Sequence, residues 1–186
     1  IFSPIGGYIA DRFSRKLTIC GSLFVWSLIT WLTGHVSSFQ ELYWARTAMG
    51  ISEAFYIPAA LALITEFHLG ATRSRAVGFH QMGIYAGIIL GGFSGYVADA
   101  PDFGWRFAFS ACGLIGIAYA LPLFALLRNP APPAIAPEPV SLPAATGQLF
   151  RNRNFLLLVI YFTLPALAGW VVKDWMPDIL REKFHL

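Results

Sequence analysis

Residues 17–36 contain no Asp, Glu, Lys or Arg, and this run constrains the chain more than any other feature. Helix rises 1.5 Å per residue, so a run of this length reaches about 30 Å, the thickness of a bilayer's hydrocarbon core. In lipid such a segment must be helical, because each backbone N–H and C=O has to find its partner within the segment. The pattern recurs. Residues 76–98, 107–127 and 154–172 are also free of charge, and residues 42–65 are interrupted only by Arg46 and Glu53. These runs predict five complete transmembrane helices, with residues 1–10 as the end of an earlier one. Composition agrees. Charged residues make up 12% of the chain and apolar ones 56%, whereas a soluble domain carries about 25% charge. The fold class expected is an all-α membrane protein.

The connections fix an orientation. Arg12, Arg15 and Lys16 fall in the loop at 11–16, Arg73 and Arg75 in the loop at 66–75, and Arg128, Arg151 and Arg153 in the segment 128–153. The alternate loops, 36–41 and 99–105, hold no Lys or Arg. Positive charge stays on the cytoplasmic side, so the basic loops are predicted to be cytoplasmic. The tail departs from this alternation, since Lys173, Arg181 and Lys183 follow the last span among Asp174, Asp178 and Glu182. Between the fourth and fifth spans lie Pro130, Pro132, Pro133, Pro137, Pro139 and Pro143. Proline lacks the donor a helix needs, so 129–148 reads as an extended linker without regular helix. The domains expected are 1–128, a helical bundle; 129–150, a cytoplasmic linker; and 151–186, the start of a second bundle.

Several chemistries are not encoded. There is no Gly-rich phosphate loop ending in Lys, no HExxH and no nucleophile elbow, so no cofactor, metal or enzymatic activity is expected. Cys20 and Cys112 lack ligand spacing and sit in apolar runs, where buried thiols are expected. Basic residues confined to loops do not make a nucleic-acid footprint. Residues 1–10 show no cleavable signal pattern.

The loop at 11–16 belongs to a longer string, Gly7-Tyr8-Ile9-Ala10-Asp11-Arg12-Phe13-Ser14-Arg15-Lys16. Gly7 permits close helix approach, Asp11 is an acceptor at a helix end, and Arg12, Arg15 and Lys16 suit anionic headgroups. The string resembles the signature loop G-x-x-A-D-R-x-G-R-K of the major facilitator superfamily, with Ser14 where Gly is usual. The resemblance implies twelve helices in two bundles, of which this chain holds about half, from the second helix to the seventh. It also implies that the loop latches the cytoplasmic gate, with Asp11 as the latch and Arg75 as its partner. A piece of this size is expected to be a fragment and not to transport by itself.

Inside the second span stands Arg46-x-x-x-Gly50-x-x-Glu53-Ala54-x-x-x-Pro58. Residues seven apart share a helix face, about 10 Å apart along the axis. Glu53 falls about 16 Å into the span, near the midplane. A carboxylate there must face a polar cavity, find a partner or hold a proton. Arg46, nearer the outer side, is placed to meet an anionic group or to neutralise Glu53. The alternative is a polar contact between helices, with Arg46 snorkelling outward. The string resembles the fourth helix of two superfamily branches, the organic anion:cation symporters and the spinster-like lysolipid and sphingolipid carriers. In both, Arg46 and Glu53 fall where substrate or proton-coupling residues are placed.

Gly83, Gly87, Gly91 and Gly95 repeat every four residues and make one bare helix face, expected to pack closely on a neighbouring helix. His80 and Gln81, in the inner part of the same span, are candidates for lining a cavity, with an ordinary interhelical hydrogen bond as the alternative. Gly104-Trp105-Arg106 resembles the start of the sixth superfamily helix, with Trp105 and Arg106 expected to anchor at the interface. The function expected is secondary transport of a small organic solute, first an organic anion with proton or cation symport, second a lysolipid-type solute. The alternatives of another class are a membrane-embedded enzyme and a membrane scaffold that does not transport. Membrane lipids, the solute and a coupling cation are the partners implied, and the plasma (inner) membrane is the location.

Overall fold

The computed structural model describes residues 3–130 and 141–184, with the backbone alone at Ser3, Asp11, Leu142, Lys173, Asp174 and Pro177. The described residues form helices and no strands: α1 (Ser3–Arg12), α2 (Arg15–Thr33), α3 (Phe39–Phe67), α4 (Ala71–Gly92), α5 (Ser94–Asp99), α6 (Gly104–Leu126), α7 (Leu142–Arg151) and α8 (Arg153–Phe184). By length and composition α2, α3, α4 with α5, α6 and the first part of α8 (Arg153–Val172) are the five that cross a membrane, in agreement with the charge-free runs. The chain separates into two compact units, Ile1–Pro133 and Ala134–Leu186.

Local chemistry sets the helix ends. Ser14 caps α2, its hydroxyl accepting from the Leu17 N–H at 3.3 Å. Ser38 does the same for α3, accepting from Glu41 N–H at 3.2 Å. The Glu41 carboxylate returns to accept from Ser37 N–H at 2.7 Å, so the outer turn is bonded from both sides. Gly70 before α4 and Gly104 at the start of α6 have φ of +61° and +73°, which residues with a Cβ adopt at a cost. The third span is broken at Phe93, between the glycines of its outer end, so α4 and α5 are separate helices.

In the first unit α2 is the hub, packing most extensively on α6 and α3, while α1 packs on α3 and α5 on α6. The core is built of small side chains: Ala10, Ala59 and Ala60 are buried with Ile19 and Leu63. Helices in lipid gain little from burying apolar area against one another, so backbone closeness supplies the packing. Gly113 and Gly116 of α6 lie directly on Trp31 and Ser27 of α2, and Gly34 lies on Ser110 and the Arg106 carbonyl. A Cβ at any of these three glycines collides with its neighbour. The buried hydroxyls of Ser22, Thr33 and Ser52 are satisfied within their own helices, donating to the carbonyls of Ile19, Ile29 and Met49.

Two expectations need correction here. Among the described residues nothing lies within 4 Å of where a Cβ would stand at Gly83, Gly87, Gly91 or Gly95, and the closest glycine packing in this unit is that of α2 and α6. The approach expected at Gly7 belongs to Gly6. A Cβ on Gly6 would stand 2.8 Å from the Ala54 carbonyl oxygen, whereas one on Gly7 would be in ordinary contact with Pro58. The reason lies on α3, where Pro58 has no N–H to give the Ala54 carbonyl, and Gly6 packs over that carbonyl.

In the second unit the prolines do not exclude helix throughout the linker. α7 forms over Leu142–Arg151 because Pro143 sits in its first turn, where no N–H is required. Asn152 then caps α8, its side-chain oxygen accepting from the N–H groups of Asn154 (3.0 Å) and Phe155 (3.3 Å). α8 runs on past Val172 to Phe184, carrying Arg181 and Lys183 in its last turn. Residues 131–140, within the linker, lie outside the described residues.

Candidate functional site

Two groups of polar residues stand out against this apolar frame, one at the basic end of the first unit and one within the spans. At the basic end, the loop between α1 and α2 is bolted to its own bundle. Arg12 donates to the Tyr8 hydroxyl one turn back at 2.7 Å. Arg15 forms an ion pair with Glu66 at the end of α3 and reaches the Ala62 carbonyl at 3.5 Å. Lys16 places its Nζ 4.4 Å from the centroid of the Phe124 ring on α6, within cation–π range. Asn129, just beyond α6, donates to the Ser14 hydroxyl at 3.0 Å and accepts from the Lys16 N–H at 3.1 Å. Arg15 and Lys16, expected at lipid headgroups, therefore turn onto protein, where a carboxylate and a ring face meet them. Ser14 supplies a cap that the usual glycine cannot. The Asp11 side chain lies outside the described residues, and so does its expected pairing with Arg75, which is exposed on the first turns of α4.

The Arg15–Glu66 pair is partly open to solvent, at 19% and 38% side-chain exposure. Such pairs contribute little individually. In a double-mutant cycle on thermal unfolding in detergent, Arg15→Ala and Glu66→Ala are expected to show a coupling energy under about 1 kcal/mol. A coupling several times larger makes the loop a principal strut of the bundle.

Within the spans, Arg46 and Glu53 share a face of α3 but do not pair. The Arg46 guanidinium lies 4.6 Å from the centroid of the Phe109 ring on α6, with the Met49 sulfur 3.8 Å from its Nη1. It thus makes no ion pair with Glu53 among the described residues. Glu53 is exposed on α3, and no hydrogen bond or ion pair to it is found among the described residues. One turn further in, Tyr56 meets His80 of α4, with 3.3 Å between the hydroxyl and Nε2. Gln81 is exposed beside it. Arg106 is not an interface anchor alone: it donates to the Val36 carbonyl at 2.8 Å and lies 4.5 Å from the centroid of its neighbour Trp105. Cys20 is buried as expected, but Cys112 is exposed.

Glu66, Tyr56, Phe109 and Asn129 are the residues that sequence reasoning missed. Tyr56 was within reach, since it stands three residues after Glu53 and so on a neighbouring face of the same helix. The others depend on which helices adjoin.

A charged string bolted to its own bundle, five helices long and apolar enough to cross a membrane, and an arginine and a glutamate exposed on one of them describe a multi-pass membrane protein. The family model of the Major Facilitator Superfamily matches residues 1–186. The chain belongs to this superfamily. Among curated relatives it is similar to human protein spinster homolog 1, at 29% identity over 97% of this chain and 36% of that protein. It is also similar to protein spinster of Drosophila melanogaster, at 28% identity over 97% of this chain and 30% of that protein. The probable L-galactonate transporter of Escherichia coli (strain K12) is 26% identical over 97% of this chain and 43% of that protein. The chain thus spans about a third of the length of the spinster relatives it matches. The superfamily is one of membrane transporters, and the spinster branch anticipated from the Arg46–Glu53 string is among the chain's relatives.

Proposed function

We propose that the chain is the central part of a secondary active carrier, working by alternating access, that moves an organic anion together with a proton or other cation. One observation carries the reading: Arg46 and Glu53 share a face of α3, are not spent on one another, and Glu53 has no partner among the described residues. Charges in a span are retained where they face a polar path. Arg46, cushioned on Phe109, meets the anionic group of the solute. Glu53 takes the proton or cation, while His80 and Gln81 line the inner part of the path. Asp11 and Arg75, with Arg12, Arg15 and Lys16 around them, form the gate on the basic side, and Gly83, Gly87, Gly91 and Gly95 present a bare face to a helix beyond this chain.

A second reading is an anionic lysolipid as the solute. It is supported by the spinster relatives and by an apolar groove of about 590 Å³ between α1, α2 and α3, lined by Phe13, Val25, Ile51 and Phe55 among others. The test is uptake by the full-length protein in proteoliposomes, with and without a pH gradient, offered an aldonate sugar acid or a lysophospholipid. Accumulation of the sugar acid, driven by the gradient, is expected. Movement of the lysophospholipid alone replaces the first reading with the second, and movement of neither removes both.

A further inference from the structure

The contact between Tyr56 and His80 is the polar side-chain bond between α3 and α4, two helices that otherwise touch lightly. The rings stack at 6.0 Å between centroids with 28° between planes. The other imidazole nitrogen, Nδ1, is fully buried and has no hydrogen-bond partner among the described residues. A neutral imidazole has one donor and one acceptor nitrogen, so Nε2 bonds the hydroxyl in either tautomer and a single unmet group remains at Nδ1. An imidazolium has two donors. Its Nδ1–H would be a buried donor without an acceptor among the described residues, which is costly. The phenol ring does not compensate, because 6.0 Å is the outer limit of a cation–π contact.

The neighbouring groups do not supply the missing acceptor. On α3 the nearby titratable residues are Tyr56 and, one turn outward, Glu53. On α6 Tyr119 lies close enough to Tyr56 to act on it electrostatically. On α4 itself Arg75 stands five residues toward the basic end and Tyr85 five residues outward, and α5 offers Tyr96 and, at its far end, Asp99. No carboxylate bonds His80 among the described residues.

We infer that Tyr56 and His80 form a proton-controlled clasp, closed when the imidazole is neutral and opened when it takes a proton, so that α4 moves off α3 and Nδ1 gains water or an anionic acceptor. This deepens the transport reading by assigning His80 a motion rather than a place in the lining. The test does not use transport. Spin labels at the exposed positions Ile57 and Met82, beside the two partners on α3 and α4, report the distance between the helices in the full-length protein. In otherwise unsubstituted protein that distance is expected to lengthen by about 2 Å on acidification, the scale of a helix shift. In His80→Gln, whose amide still bonds Tyr56 but takes no proton, it is expected to stay at the short value throughout. Tyr56→Phe is expected to give the long value at every pH. A distance that ignores pH without substitutions, or whose pH response survives His80→Gln, overturns the clasp. Failure of proton-driven uptake alone overturns the symport reading and leaves the clasp standing.

Discussion

Replacing Gly113 with leucine is expected to unfold the first unit, not merely to weaken it. A Cβ at this position collides with the backbone of Trp31 as well as its side chain, so no rotamer change relieves it. Overpacking in a core costs about 1–3 kcal/mol when side chains can yield, and more where backbone must shift. The contact also lies at the largest helix interface of the unit, α2 on α6, where Gly34 and Gly116 make the same close approach on either side. Separating these helices would release Ser27 from α6 at Gly116 and pull Arg106 from the Val36 carbonyl. The measurement is the monodisperse fraction and melting temperature of the full-length protein in detergent. Gly113→Leu is expected to yield little or no monodisperse protein, and Gly113→Ala to melt well below the parent. Gly50→Ala is the control. Nothing among the described residues lies within 4 Å of a Cβ there, and helix propensity favours alanine by about 1 kcal/mol. Equal behaviour of Gly113→Ala and Gly50→Ala would mean that α2 and α6 are not held by backbone contact.

The same comparison shows what a sequence can and cannot disclose in a membrane protein. The spans were legible because bilayer thickness imposes a length and hydrocarbon excludes charge, and both properties are local. The basic loops were legible for the same reason. Which glycines pack was not, because Gly83-x-x-x-Gly87-x-x-x-Gly91 and the spacing of Gly113 to Gly116 differ in pattern but not in chemistry. Only the neighbour decides, and among the described residues none approaches the more regular stripe. Arg15 and Lys16 were read from their charge as headgroup anchors. Their partners, Glu66 and Phe124, lie about 50 and about 110 residues on, distances over which no pattern in a single sequence carries information. The α7 helix was hidden by counting prolines without their positions, since Pro143 in a first turn starts a helix where a later proline would stop one. Arg46 and Glu53 were found by their cost alone. The expectation that Arg46 neutralises Glu53 failed: seven residues of helix hold them about 10 Å apart along the axis, and Arg46 lies on Phe109.

That failure sharpens the expectation for Glu53. An arginine held on an aromatic face stays charged and oriented, so the carboxylate seven residues on has no fixed counter-charge in this bundle. Exchanging it for glutamine keeps size and hydrogen bonding but removes the ability to carry a proton or balance a cation. One proton moving down one pH unit supplies about 1.4 kcal/mol, which is tenfold accumulation of the solute it accompanies. Glu53→Gln is therefore expected to lose that tenfold accumulation in proteoliposomes while retaining downhill exchange of the solute between the two sides. Arg46→Ala is expected to act differently, raising the KM for an anionic solute on the order of tenfold or more, because it removes a charged contact from the binding step. Arg46→Lys is expected to recover only part of this, since an ammonium lacks the planar surface that rests on Phe109. The contrast between the variants is the decisive part of the measurement. If Glu53→Gln still concentrates solute against its gradient at the same applied pH difference, the proton travels by another group. If Arg46→Ala and Glu53→Gln instead fail together in exchange as well as in accumulation, the two residues hold the bundle's shape and carry no charge for the solute.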